Sequence, residues 1–395
     1  MSEVKFIDLF AGAGGFGLGF SMAGLRPILS LEKDKFAAET IMFNCQHKVV
    51  NDDVLNYTTS RSIKKQVDLN PDVIIGGPPC QGFSVAGSNR STKFDARNNF
   101  PLVFLEWVSV LKPRMFVMEN VPGILTTYNE RGSKIIDSIR HKAFKIGYNV
   151  AIWKLNAANF GVPQRRIRVF IIGYKGDIAP EPPKAKYFDN TTEEENLFNL
   201  KPAITVGDAI LDLPVIYAKE GQETMKYTIN SNLSSYQKWA RNNSKLVYNH
   251  VAMKHTPRMI QRYQALLEGK DELPDELKVR KRNGNGELSK SLFNSNYRHL
   301  SPNLVSYTIP ASFYSSFVHP TLPRNITTRE AARLQSFPDT YFFKGQRTLI
   351  SNKLLTRQGK EDQIGLSQYN QVGNAVPPLL ACSIAEACID FLKKE

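Results

Sequence analysis

Residues 8–19 read DLFAGAGGFGLG, with glycine at five of twelve positions, directly after an apolar run at 4–9. So few side chains make a poor helix and a poorer strand. The stretch suits the turn where a parallel strand ends and a helix begins, because glycine accepts positive φ and lets a ligand approach the backbone. Gly12, Gly14 and Gly17 form G-x-G-x-x-G there, a pattern associated with nucleotides but weak when alone. Its context strengthens it. Glu32 lies twenty residues beyond Gly12, at the end of a second strand-like run, 27–31, where a carboxylate can hold ribose hydroxyls. Asp53 stands where a third strand would end and is able to accept from an adenine amino group. The three predict a ligand carrying an adenosine.

Further strand-like runs at 73–76, 115–118, 149–155 and 168–173 alternate with helical stretches at 100–111 and 133–146. That rhythm predicts an α/β domain, a doubly wound parallel sheet covered on both faces, with ligands at the carboxyl ends of its strands. The texture breaks after Tyr174, where prolines at 180, 182 and 183 and the acidic 193–195 read as a linker. Three regions follow: 1–199, the α/β domain with the adenosine site; 200–324, a smaller irregular domain; and 325–395, helical again and returning to the first.

The chain has 51 Lys and Arg against 37 Asp and Glu, a net charge of +14. The surface field therefore favours a polyanion, nucleic acid first. Residues 201–324 carry 17 basic and 10 acidic residues, half of that net charge. Four cysteines, at 45, 80, 382 and 388, contain no C-x-x-C pair, which predicts a reducing cytoplasm with no disulfide frame and no metal cluster. No apolar run approaches the roughly 18–20 residues of a membrane span, so no membrane partner is expected.

Three motifs carry chemistry. The run 73–76 leads into GGPPCQGFS, which sets Cys80 on a stiff Pro/Gly turn at the functional edge of the sheet. The run 115–118 leads into ENVPG, which puts Glu119 beside Cys80 if the two strands are neighbours. GVPQRRIR then supplies Arg165, Arg166 and Arg168 to the same edge. A buried structural role is the common fate of a free cysteine and fits Cys45, Cys382 and Cys388 better.

At this point the chain resembles the DNA (cytosine-5) methyltransferases of the bacterial restriction-modification type. The matching stretches are DLFAGAGGFGLGF, Glu32, Asp53, GGPPCQGFS, MENVPG, GVPQRRIRVFIIG, TTREAARLQSFPD and QVGNAVPPLLA, in the family's order. The resemblance implies a Rossmann-like S-adenosylmethionine-dependent methyltransferase domain with a target-recognition domain at 200–324. It makes Cys80 the nucleophile, Glu119 the partner of cytosine N3 and its exocyclic amine, and Arg168 the ligand of cytosine O2, supported by Arg166. Phe10, Gly12, Gly14, Glu32, Asp53, Pro79, Asn374 and Val376 then belong to the S-adenosylmethionine site. Asn51 stands where the family often has glycine.

The target base lies inside a duplex, so it must be flipped out. The polar stretch 81–99 reads as the loop that closes over it, with Gln81, Ser84, Arg90, Lys93 and Arg97 toward DNA. Arg298 is the candidate base reader and the basic 278–282 a phosphate patch. The implied protein is a cytoplasmic monomer acting on double-stranded DNA with no metal, alongside a possible cognate restriction endonuclease that cuts the same site. Two alternatives stay open. One is a tRNA cytosine-5 methyltransferase, which generally carries a Cys-Phe-Thr signature that this sequence lacks; the other is a non-enzymatic DNA-binding regulator. A nicotinamide dehydrogenase would leave the cysteine, glutamate and arginine motifs unexplained.

Overall fold

The computed structural model describes residues 3–67, 69–79, 100–128, 132–189, 196, 199–227, 232–269, 273–278, 287–288, 297–348 and 350–394. The first half of the chain runs β1 (Lys5–Leu9), α1 (Gly15–Met22), β2 (Arg26–Glu32), α2 (Lys35–Asn44), β3 (Lys48–Asn51), α3 (Ser60–Lys64), β4 (Val73–Gly76), α4 (Phe100–Leu111), β5 (Met115–Asn120), α5 (Ile135–Lys145), β6 (Asn149–Asn156) and β7 (Ile167–Tyr174). These strands form one seven-stranded sheet in the order β3-β2-β1-β4-β5-β7-β6. The chain winds outward from β1 to β3, then restarts at β4 on the other side of β1. The carboxyl ends of β1 and β4 therefore flank the switch point where open α/β sheets bind ligands.

The sheet departs from the all-parallel expectation at one edge. From β3 to β5 the pairings are parallel, but β7 is antiparallel to both β5 and β6. An apolar run carries no record of its direction. A short return from β6 inserts β7 between β5 and β6, so the segment holding Arg166 and Arg168 enters the sheet beside the carboxyl end of β5.

Both faces are covered, as the apolar runs require. On one face Ile7, Leu9, Ile74 and Phe116 pack with Phe104, Trp107 and Val108 of α4 and Ile136 and Ile139 of α5. Each such side chain contributes about 1.5–3 kcal/mol when fully buried. On the other, Phe6, Val73, Ile75 and Phe170 meet Phe16 and Phe20 of α1. The same cluster includes Leu380, Ile384 and Cys388 of a C-terminal helix, α12 (Pro378–Leu392). The glycines of α1 explain that contact. A Cβ on Gly19 would lie 2.4 Å from both Ala381 Cβ and the Pro378 carbonyl, so only a bare backbone allows α1 and α12 to approach so closely.

Between these parts lie β8 (Tyr187–Phe188), β9 (Lys201–Pro202), α6 (Val206–Ile210), β10 (Gly221–Lys226), α7 (Ser235–Arg241), β11 (Leu246–Val251), α8 (Pro257–Leu267), β12 (Arg298–His299), β13 (Phe317–Val318), α9 (Thr328–Leu334), α10 (Asn352–Arg357) and α11 (Gln368–Asn374). Capping boxes start α6 at Thr205 and Asp208, α7 at Ser234 and Gln237, and α9 at Thr327 and Glu330. Their buried cluster joins Val206, Ile210 and Phe313 to Ala331, Leu334, Phe337, Tyr369 and Val372. It therefore runs across residue 324. The Pro-rich stretch after Tyr174 lies against the core, with Lys186 bonded to the Asn159 carbonyl and paired with Glu386 of α12.

Candidate active site

The turn after β1 is built by backbone conformations that side chains resist. Phe10, Gly12 and Gly14 have φ of 58°, 57° and 79°, the left-handed region where glycine is at home. A Cβ on Gly12 would meet nothing within 4 Å, whereas one on Gly15 would strike the Val376 carbonyl at 2.4 Å. The turn is thus open above Gly12 and backed by the C-terminal segment at Gly15. Glu32, at the end of β2, accepts the Gly12 N–H on Oε2 and the Asp34 N–H on Oε1, both at 2.7 Å. Burial nevertheless raises its pKa above the ordinary carboxyl value, the two N–H bonds opposing that only in part. Phe10 meets Phe100 edge to face at 5.5 Å between ring centroids.

Asp53 caps the 3-10 turn Val54–Asn56 and pairs with Lys33 at 2.6 Å. Burial would raise its pKa, but Lys33 and the Leu55 N–H outweigh that and hold it below the ordinary value. Asn51 donates to the carbonyls of Glu32 and Lys33, fixing the chain between the two acids, which a glycine could not do. Asn374 is exposed at the end of α11, and Val376, two residues on, is buried against the turn.

The second half of the site assembles at β4 and β5. Their register pairs Gly76 with Met118, so both chains leave the sheet side by side. A Cβ on Gly77 would lie 3.3 Å from Glu119 Oε2, and Asn120 Nδ2 bonds the Pro78 carbonyl at 3.3 Å. Arg168 Nε meets Glu119 Oε1 at 3.0 Å, with side chains 14% and 16% exposed. Arg166 behaves differently from Arg168. Fully buried, it donates to the carbonyls of Ile309 at 2.9 Å and Gly373 at 3.1 Å. Burial and the neighbouring Arg168 charge weaken its hold on its proton, while Glu119 supports it.

Pro79 is the last described residue of this turn. Cys80, Gln81, Ser84, Arg90, Lys93 and Arg97 lie outside the described residues, as does Lys281. The other three thiols are poor nucleophiles. Burial pushes Cys45 up to about 11 and Cys388 up to about 12, and raises Cys382. A thiol so far above neutrality is almost wholly protonated.

Arg298, on β12, borders the start of β7. Its guanidinium lies 5.8 Å from the ring centroids of both Tyr307 and Phe317. Together with Arg165, Ile167, Tyr307 and Thr308 it lines a cleft of about 320 Å³. Thr308 Oγ1 donates to the Arg165 carbonyl at 2.6 Å, closing the junction between β7 and the residues before α9.

Several contributors carry no sequence signal strong enough to single them out. Tyr341 donates to the Ala13 carbonyl at 2.7 Å and braces the glycine turn. Asp8 is fully buried, accepts from the Gly17 N–H at 3.1 Å, and is raised well above the ordinary value by burial. The glycine motif begins at Asp8, and an acid inside an otherwise apolar strand was the available signal. Among the described residues no group of three or more His, Cys, Asp or Glu could hold a metal ion. Nor is any single helix among them long and apolar enough to cross a membrane.

Residues 4–390 match the family described as C-5 cytosine-specific DNA methylase. The type II methyltransferase M.DdeI of Desulfomicrobium norvegicum is 42% identical over 392 residues, covering 97% of this chain and 88% of that protein. The type II methyltransferase M1.HphI of Haemophilus parahaemolyticus is 34% identical over 400 residues, covering 100% and 88%. Among solved structures, one described as a DNA modification methyltransferase encoded within an E. coli prophage superposes with a TM-score of 0.69. It is 25% identical and covers 99% of this chain and 100% of its own.

Proposed function

The chain belongs to the C-5 cytosine-specific DNA methylase family and is a DNA cytosine-5 methyltransferase; on that premise we propose how its residues divide the work. The donor is S-adenosylmethionine, which supplies an activated methyl group on a sulfonium. The open face of the turn at Gly12 and the Glu32 carboxylate fixed beside it fit that ligand. Glu32 holds the ribose hydroxyls, Phe10 packs against the adenine, and Asp53 accepts from its amino group. Gly14, Pro79, Asn374 and Val376 complete the walls.

The observation that carries the chemical reading is the convergence of Arg168, Glu119 and the Gly77 turn at the ends of β4 and β5. Cytosine C5 is a weak nucleophile. The Cys80 thiolate attacks C6 while Glu119, as the carboxylic acid, gives its proton to N3 and accepts from the exocyclic amine, so that the C5–C6 electron pair is released into an enamine with its nucleophilic carbon at C5. Arg168 binds O2 and holds the Glu119 side chain in place. Arg166 supports them from behind by fixing the segments of Ile309 and Gly373. After C5 has taken the methyl group it loses its proton to a base, and the C6–S electron pair returns to sulfur as the thiolate leaves.

The substrate is a cytosine flipped out of double-stranded DNA, with residues 200–324 reading its sequence and 325–395 completing the catalytic domain. Supporting this are the basic cleft of Arg165 and Arg298 and the charge excess of the segment. To Gln81, Ser84, Arg90, Lys93 and Arg97 we assign contact with DNA, on the resemblance alone. Since the relatives are type II methyltransferases, the role is protective methylation in a bacterial restriction-modification system. We propose a cytoplasmic monomer that shares its site, without a stable complex, with a cognate endonuclease. Incorporation of labelled methyl groups from S-adenosylmethionine into unmethylated duplex DNA tests this. Label in DNA and none in tRNA is the expected result; label confined to tRNA would overturn it.

A further inference from the structure

The donor side and the DNA side of the site meet at the carboxyl end of α11. Gly373 has no room for a side chain, because a Cβ there would lie 2.4 Å from the Pro310 carbonyl. Residues 308–311 therefore lie directly on the turn that presents Asn374 and Val376. Side-chain amides hold the two segments together. Gln335, fully buried just after α9, donates from Nε2 to the Val372 carbonyl at 2.8 Å and accepts on Oε1 from Gln164 Nε2 at 2.9 Å. Gln164 accepts the Ile309 N–H at 2.9 Å, while Arg166 takes the Ile309 and Gly373 carbonyls. Both backbone groups of Ile309 and two C-terminal carbonyls of α11 are thus satisfied by one buried set of side chains, a place where helices otherwise leave carbonyls orphaned.

Each end of this set reaches a ligand-facing surface. Val376 presses its carbonyl on Gly15 of the glycine turn. Thr308, next to Ile309, lines the cleft with Arg165 and Arg298. We propose that Gln335 is a positioning residue that keeps the donor-side turn 374–376 and the DNA-side segment 307–310 in fixed register, so that removing its amide weakens use of both substrates together. This rests on the reading above, in which those two segments face donor and DNA.

Steady-state methylation of unmethylated phage genomic DNA with labelled S-adenosylmethionine gives a KM for each substrate. Gln335→Met should raise both by roughly 3- to 10-fold, the worth of one or two buried hydrogen bonds, with a smaller change in kcat. Gln237→Met is the control for a purely structural loss. Gln237 is also buried, and its amide bonds the Gly207 carbonyl at 3.3 Å and the Ser234 N–H at 2.9 Å, away from both segments, so both KM values should stay native. If Gln335→Met does not fold, the isosteric Gln335→Glu carries the same test. Native KM values in the Gln335 variant, a shift in only one of them, or equal shifts in Gln237→Met would overturn the proposal. Glu32→Gln separates the two possible failures. An unchanged donor KM there sinks the donor-site reading, whereas a raised one alongside native values in the Gln335 variant sinks only the positioning role.

Discussion

Two regions of this molecule bury charge to opposite ends. At the carboxyl edge of β1 and β2, Asp8 and Glu32 are acids in a largely apolar setting that no cation among the described residues neutralises. Asp8 Oδ1 has no hydrogen-bond partner among the described residues, and burial raises both groups above their ordinary pKa values. Around α9 every buried charge is matched. Arg333 binds Asp339 at 2.6 Å and Asp212 at 2.8 Å, and Arg324 binds Glu330 at 2.7 Å, all with side chains at most 2% exposed. Asp339 also accepts from Tyr227. Where partners are complete, charge fixes shape. Where they are incomplete, the polar groups remain ready for a ligand, and the fold tolerates the cost.

The largest effect that could break this comparison is on stability. Arg333→Met strips Asp212 and Asp339 of their shared cation, leaving Asp212 to Arg241 and Asp339 to Arg329 and Tyr227, and should cost about 3–5 kcal/mol, the loss expected when one partner of a buried pair is removed. Urea unfolding measures it; a loss near zero would mean that the network does not hold the packing around α9 together. Glu32→Gln should do the reverse, weakening donor binding by about 1.5–3 kcal/mol while leaving stability unchanged or raised. Titration calorimetry and thermal unfolding of the same variant decide it, and a Glu32→Gln protein that unfolds early but binds normally would erase the distinction.

The smallest effect is on pH dependence. His319 Nδ1 accepts the N–H groups of Thr321 and Leu322, both at 3.1 Å, so a proton there would face two donors. Burial lowers its pKa to about 3, against the opposing pull of Glu330 and with the help of Arg324, His250 and His299. An unfolded histidine takes its proton near pH ~6.5. Between those values the unfolded chain binds more protons, so this contribution to stability is lost as pH falls below ~6.5. Asp8 and Glu32, whose pKa values are raised, act with the opposite sign and lose their contribution as pH rises. Melting temperature followed from pH 7 to 4 should therefore fall less steeply in His319→Gln than in the native protein. An unchanged slope would remove His319 from the account.

Sequence made the proposed catalytic edge legible because its polar groups sit at strand ends: Gly12, Glu32 and Glu119 each follow an apolar run, and position along the run fixes position on the sheet. The α9 network was illegible, since Arg333 finds Asp212 across more than a hundred residues and nothing local marks the pair. Charge counting was misled for the same reason. Arg324 belongs to the basic excess of 201–324, yet it is buried on Glu330 and faces no phosphate. Arg166 and Arg168 are two residues apart in one motif, and strand alternation alone would give them one face; but Arg166 precedes β7, and there it turns to the Ile309 and Gly373 carbonyls while Arg168, inside the strand, meets Glu119.

The central claim is that Cys80 forms a bond to the target base. Duplex DNA whose cytosines carry fluorine at C5 keeps the first step and blocks the last, because no proton can leave C5. With S-adenosylmethionine present, the native protein should form an adduct that survives denaturing electrophoresis, and Cys80→Ala should form none, while replacement of Cys45, Cys382 or Cys388 leaves adduct formation intact. An adduct of normal yield with Cys80→Ala, or none with the native protein under conditions where it methylates ordinary DNA, would contradict the account.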